Sequence, residues 1–127
     1  MSVEKFSAIF DGLKQAYGTY KVEKTQSNGK NTGKASILKE PRTPKLWKGH
    51  LSGKGTSIGI IPINEDNCCK WGCIDVDQYP LDHKVLIEKI RALKLPLVVC
   101  RSKSGGAHCY LFCKEWIEAK DMQKVLT

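Results

Sequence analysis

The chain has 127 residues, 41% hydrophobic and 27% charged, enough apolar material for the core of one domain, or of one domain and part of another. No stretch reaches the roughly 20 apolar residues that cross a bilayer. The start MSVEKFSAIFDGLK carries acids and no long apolar run, so no secretory signal and no membrane partner are expected, and the setting is expected to be cytoplasmic.

Residues 3–16 are expected to form an amphipathic helix, because Phe6, Ile9, Phe10 and Leu13 recur at helical spacing and Gly18 can end it. Tyr17 to Val22 reads as extended. EKTQSNGKNTGK (23–34) reads as a polar Gly/Asn loop, and Ala35 to Leu38 as a short strand. Thr43 as N-cap and Pro44 at the first helical position open a helix that carries Leu46, Trp47 and Leu51 and stops near Gly53. Ser57 to Ile63 is a strand candidate, EDNCCK (65–70) a turn, and Trp71 to Val76 a second, mostly buried strand. Pro80 and Asp82 open a helix to about Leu93, with Leu86, Ile90 and Leu93 on one face. Leu97 to Cys100 and Ala107 to Cys113 read as strands joined by RSKSGG, and a last helix is expected from near Glu115. The order from Trp71 is strand–helix–strand–strand–helix, the first five elements of a βαββαβ unit.

The formal net charge is +8, from 21 Lys and Arg against 13 Asp and Glu. Residues 17–54 hold nine of the cations and only Glu23 and Glu40 as acids. Such a segment fits a surface that tracks phosphates, with Lys21, Lys24, Lys30, Lys34, Arg42, Lys45, Lys48 and Lys54 as candidate nucleic-acid contacts. A solvated basic loop with no partner is the plainer alternative. The six cysteines (Cys68, Cys69, Cys73, Cys100, Cys109, Cys113) are read as free thiols, since a chain this apolar needs no disulfide staples. Zinc is not expected, because they lack paired C-x2-C hooks.

Two constellations carry chemistry. Asp75 and Asp77 flank Val76 at the end of an apolar strand, so their carboxylates point to one face. Paired carboxylates at this spacing can share hard divalent cations, as phosphoryl-transfer sites require. Two aspartates entering a turn would look the same. The second constellation is Arg101-Ser102-Lys103-Ser104-Gly105-Gly106-Ala107-His108. Its glycines let backbone approach a ligand, its N–H groups can form an anion nest, and His108 can donate to a phosphate. A hairpin loop followed by a lone strand histidine is the alternative. Together the two motifs gain force: on neighbouring strands Asp75 and Asp77 would share a face with His108 and Tyr110, while Ile74, Val76, Cys109 and Leu111 face helices. Ser52-Gly53-Lys54-Gly55-Thr56 is not a Walker A loop, because Gly55 stands where Ser or Thr is required and Gly49 is one position too close.

Ile74-Asp75-Val76-Asp77, followed by a helix, a strand and SKSGGAH, resembles the archaeo-eukaryotic primase superfamily, and most closely its phage-type and TOTE-conflict-system primase domains. GIIPINEDNCCKWGCIDVDQY and LPLVVCRSKSGGAHCYLF carry the resemblance most specifically; KLWKGHLSGK and FDGLKQAYGTY extend it over nearly the whole chain. The resemblance implies an α+β, primase-like fold: a basic N-terminal α/β module at 1–56, then an incomplete RRM-like βαββα unit at 57–127. It implies template-directed nucleotidyl transfer in DNA replication from NTPs or dNTPs on single-stranded DNA, in a bacterial or phage-infected cell. A helicase, or a further C-terminal part of the same protein, would be the partner. Asp75 and Asp77 would hold a pair of Mg²⁺ or Mn²⁺ ions, His108 would contact the triphosphate, and Arg101, Ser102, Lys103, Ser104, Gly105 and Gly106 would line the phosphate site. The family's third acidic motif lies on a later strand, and the chain ends before it. The chain is therefore expected to be a fragment or a natural short form, in which two metals held by two aspartates alone would bind weakly. Two other classes stand beside the enzyme: a non-catalytic nucleotide- or nucleic-acid-binding module built on the same fold, and an unrelated nuclease-like site at Asp75 and Asp77.

Overall fold

In the computed structural model the described residues are 2–25, 31–55 and 57–127, and the described side chains exclude those of 22–32. The fold is α+β. In chain order run α1 (Val3–Ile9), β1 (Tyr17–Thr25), β2 (Asn31–Leu38), α2 (Pro44–Ser52), β3 (Ser57–Gly59), β4 (Cys68–Val76), α3 (His83–Ala92), β5 (Val98–Arg101), β6 (Ala107–Glu118) and α4 (Ala119–Leu126). Among the described residues no helix is long and apolar enough to cross a membrane. The chain divides into two compact units, Met1–Cys69 and Lys70–Thr127. The division falls later than residue 56 because β3 pairs with β1 and so stays with the first unit.

In the first unit the strand order is β2-β1-β3. β1 runs antiparallel to both neighbours, with Tyr17 opposite Leu38 and Thr19 opposite Ile58. Strand alternation puts Tyr17 and Ile58 on one face. There they join Trp47 of α2 in a buried cluster, with Val3, Phe6, Phe10, Leu46 and Ile60 packed around it. Phe6 meets Trp47 edge-on at 5.5 Å between ring centres. α2 has the expected ends: the Thr43 hydroxyl accepts from the Leu46 N–H at 3.3 Å, Pro44 fills the first turn, and Gly53 closes it in the left-handed region at φ 72°.

Three expectations in this unit change. α1 ends at Ile9 rather than near residue 16, because the chain beyond it takes a different backbone partner: the Leu13 N–H donates to the Ile61 carbonyl at 2.8 Å. Gly12 permits that approach, since a Cβ there would collide with the same carbonyl oxygen. The same bond ends the expected strand at Gly59 rather than Ile63, since Ile61 bonds outside the ladder and Pro62 has no N–H to give it. Most of the polar stretch 23–34 is strand, from both ends of the β1–β2 hairpin; residues 26–30 lie outside the described residues. Ladder bonds need no apolar side chains, and Gly33 fits where a Cβ would strike the Lys21 carbonyl.

In the second unit the order is β4-β6-β5, with the last strand in sequence at the centre. β5 pairs antiparallel with β6, Val98 opposite Tyr110 and Cys100 opposite His108. β4 runs against β6 in the same sense: its end approaches Gly106, while Lys70 near its start sits over the Trp116 ring late in β6. α3 thus links two parallel strands that flank a third, the split βαβ arrangement. Its N-cap is Asp82, whose carboxylate accepts from the Lys84 and Val85 N–H groups. Ile90 is buried, but Leu93 stands past the helix end and is 70% exposed, so it does not extend the apolar face. α4 starts at Ala119, later than expected, because the strand pattern continues through Trp116 and Ile117 to Glu118. Gly72 of β4 lies under α4: a Cβ there would meet Met122 and Leu126.

Trp47→Ala is expected to destabilise the chain by about 3–5 kcal/mol, the usual cost of a vacated aromatic core position. Thr43→Ala should cost about 1 kcal/mol, the worth of one helix cap. Urea denaturation of the two variants checks the order and the gap.

Candidate nucleotide and metal site

The second unit's sheet has two chemically different faces. Ala107 and Cys109 of β6 are buried on one of them. The other carries His108, Tyr110 and Phe112 along β6, Cys100 and Val98 beside them on β5, and Trp71, Cys73 and Asp75 on β4. Exposure alternates at the end of β4: Cys73, Asp75 and Asp77 are exposed, Ile74 and Val76 less so. The expected sharing of one face by Asp75, His108 and Tyr110 is thus present, with Asp77 one residue beyond the strand.

His108 Nε2 lies 3.6 Å from Asp75 Oδ1, close enough for charge attraction when the ring is protonated and too long for a hydrogen bond. Its Nδ1 is 3.4 Å from the Tyr110 hydroxyl. Aromatic rings continue this face. Tyr110 stands 5.9 Å from Trp71, and it stacks on Phe112 with centres 5.8 Å apart and planes 21° from parallel. The Tyr110 hydroxyl is held above the usual phenol range, first by partial loss of hydration and then by the Cys73 and Cys100 thiols. Cys109 is pushed up mainly by its burial. Cys73 is exposed by surface yet also pushed up, first by partial desolvation and then by the Asp75 carboxylate.

The glycine loop closes on itself between β5 and β6. The Ser102 N–H donates to the Gly106 carbonyl at 3.0 Å, and the Gly105 N–H donates to the Ser102 carbonyl at 3.1 Å. Gly105 has φ 98°, where an L side chain is strained. Gly106 is fixed by contact: a Cβ there would collide with the Val76 carbonyl oxygen. The two expected motifs therefore touch, backbone against backbone. Two residues that sequence reasoning passed over complete the junction. The Tyr79 hydroxyl lies 3.2 Å from Asp77 Oδ1 and 2.9 Å from Ser104 Oγ, and His83 Nε2 lies 2.8 Å from the Gly106 carbonyl oxygen.

Asp75, Asp77, His108, Ser102, Ser104, Gly105 and Gly106 are brought together. Lys103 is exposed on the loop. Arg101 is not on the His108 face: its register partner is Ala107, so it projects to the opposite side at the strand end. Among the described residues no three His, Cys, Asp or Glu side chains gather as a metal cluster, neither at the cysteines nor at the aspartates.

The basic candidates lie in the first unit. Lys21 and Lys34 are opposite one another on β1 and β2, and both are exposed. Lys24 is opposite Thr32, its side chain outside those described, and Lys30 lies outside the described residues altogether. Lys45 and Lys48 are exposed on α2, and Lys54 just past it. Arg42 is a correction. Its side chain is only 8% exposed, its Nη2 pairs with Asp11 Oδ1 at 3.3 Å, and its backbone N–H donates to the Lys14 carbonyl. With its guanidinium turned inward to Asp11 and the Gly12 carbonyl, it serves the fold and not the surface.

The model of a protein family described as the TOTE conflict system archaeo-eukaryotic primase domain matches residues 3–127. No curated protein matches the chain. With Asp75 and His108 set side by side, the glycine loop locked against β4, and the match running through both compact units, the chain belongs to the TOTE conflict system archaeo-eukaryotic primase family.

Proposed function

We propose that this chain carries out template-directed nucleotidyl transfer, priming or extending DNA on a single-stranded template from NTPs or dNTPs. The observation that carries the reading is the meeting of the Asp75–Asp77 strand end with His108 and the Ser102–Gly106 loop. The donor set suits Mg²⁺ or Mn²⁺: hard carboxylate oxygens, exposed on one side of a strand end, with water and triphosphate oxygens left to complete the shell. When bound, such ions polarise the attacking 3′-hydroxyl and neutralise the leaving pyrophosphate.

The chain's own groups divide the remaining work. Asp75 and Asp77 hold the cations. His108 presents Nε2 beside Asp75, where it can donate to a triphosphate oxygen. The Lys103 ammonium receives phosphate charge, beside those loop N–H groups that, unlike Ser102 and Gly105, are not bonded within the loop. In the first unit, Lys21, Lys34, Lys45, Lys48 and Lys54 follow the template backbone. Like charges placed opposite on neighbouring strands, as Lys21 and Lys34 are, cost stability. An anion lying between them would offset that cost. A helicase partner rests on the resemblance of the sequence alone.

A second reading is a nucleotide- and nucleic-acid-binding module without turnover, which the exposed lysines of the first unit would serve equally.

The test is primer extension by the full chain on single-stranded DNA with Mn²⁺ or Mg²⁺. Asp75→Asn and Asp77→Asn should each lower the rate about a hundredfold or more, since several kcal/mol of charge stabilisation is lost. EDTA should abolish it. Metal-independent synthesis, or synthesis indifferent to both substitutions, would sink the enzyme reading; DNA binding without synthesis would favour the module.

Template binding should weaken linearly with log salt. Each of Lys45→Gln and Lys48→Gln should lower the slope by about 0.7 if the residue contacts one phosphate of single-stranded DNA. Asp75→Asn should leave that slope unchanged in a fluorescence anisotropy titration.

A further inference from the structure

We infer that Tyr79 is a positioning residue, whose hydroxyl locks the candidate metal ligand Asp77 to the phosphate loop at Ser104. The inference rests on the metal–nucleotide reading given above. Tyr79 follows Asp77 by two residues, beyond the end of β4, and is about half exposed. A packing role would place the ring inside. Here the ring stays out and its oxygen turns to two polar partners, Asp77 Oδ1 at 3.2 Å and Ser104 Oγ at 2.9 Å.

The direction of these bonds follows from proton count. An ionised carboxylate only accepts, so the single phenolic proton goes to Asp77. Ser104 must then donate to Tyr79. The result is a directed chain, Ser104 to Tyr79 to Asp77, that ends on one carboxylate oxygen and leaves the other for a cation. Hydrogen bonds of this kind fix the rotamer of a ligating carboxylate, and their removal typically costs about 10–100-fold in metal affinity.

The same short segment grips the loop a second time. His83 Nε2 is 2.8 Å from the Gly106 carbonyl oxygen, and a carbonyl only accepts, so His83 carries its proton there. Ser104 and Gly106 are thus both held from the 79–83 side, bracketing Gly105 at φ 98°. A site that must bind metal and triphosphate as one unit needs its carboxylate and its anion nest at fixed separation. Tyr79 supplies the one side-chain bridge between Asp77 and Ser104 that the described contacts show. Because it is half exposed, the bridge adds little to folding, and its loss should register in ligand affinity rather than in the melting midpoint.

The experiment uses the full chain and Tyr79→Phe, which removes only the hydroxyl. Mn²⁺ retention is read by electron paramagnetic resonance with α,β-methylene ribo- and deoxynucleoside triphosphate analogues, beside a melting curve. Tyr79→Phe should weaken Mn²⁺–nucleotide binding about tenfold with no change in melting midpoint. Ser104→Ala should weaken it as well, and the double variant should be no weaker than Tyr79→Phe, since both break one chain. Wild-type affinity in Tyr79→Phe, a loss matched by a lowered melting midpoint, or additive losses in the double variant would overturn the inference. Asp75→Asn separates the two levels. If it binds as the wild type does, or the wild type holds no Mn²⁺–nucleotide, the metal–nucleotide reading fails and takes this inference with it. If Asp75→Asn loses binding while Tyr79→Phe keeps it, the role of Tyr79 alone is refuted.

Discussion

Gly106 lies so close to the Val76 carbonyl that no side chain fits between them, and the geometry of the second unit follows from that contact. It sets the start of β6 against the end of β4, and with it the separation of Asp75 and His108. It brings the loop within reach of the segment after Asp77, where Tyr79 and His83 take hold of it. A larger residue at 106 would push the two strand ends apart and separate the acids from the loop. Packing on the far face works toward the same end: Gly72 lets α4 settle onto β4. Two glycines at opposite faces of one sheet therefore serve different neighbours, a backbone in one case and Met122 and Leu126 in the other.

The first unit handles its charge in two ways. The Arg42 guanidinium is drawn in to Asp11 and to the Gly12 carbonyl, tying the chain after α1 to the chain before α2. Lys21 and Lys34 on the hairpin and Lys45 and Lys48 on α2 stay outside. The difference suits the two side chains: a guanidinium makes several fixed hydrogen bonds when desolvated, whereas an ammonium is strongly hydrated and is better left in water. A positive segment is thus not one functional patch. One of its cations is part of the frame that holds α1, α2 and their aromatic cluster.

Local signals in the sequence carried far where the physics is local. Thr43, Pro44 and Gly53 mark both ends of α2 because caps and backbone preferences act within a few residues. The strand character of β4, β5 and β6 is legible from alternation and β-branched content, and the face shared by Asp75 and His108 follows from counting by twos. Elements that depend on remote partners were not legible. The periodicity of Phe6, Ile9, Phe10 and Leu13 suggests one long helix, but the Ile61 carbonyl claims the Leu13 N–H from 48 positions away. Polar residues 31–34 form strand because β1 supplies their hydrogen bonds. Arg42 reads as one more surface cation until Asp11 is seen beside it. Tyr79 and His83 sit in a turn and at a helix start, where no periodic pattern exposes them; their partners lie 25 and 23 residues on.

The central place of β6 has a consequence for how the site meets its ligands. A strand bonded on both sides opens to solvent only when its neighbours let go, so its amides should be among the slowest of this unit to exchange with deuterium. His108 stands on that strand, while Asp77 lies beyond the last residue of an outer one. The site therefore has one wall held by a doubly bonded strand and one held at a strand end by the Gly106 contact and the Tyr79 hydroxyl. An entering ligand would find both the imidazole and the aspartate in place, kept there by different means.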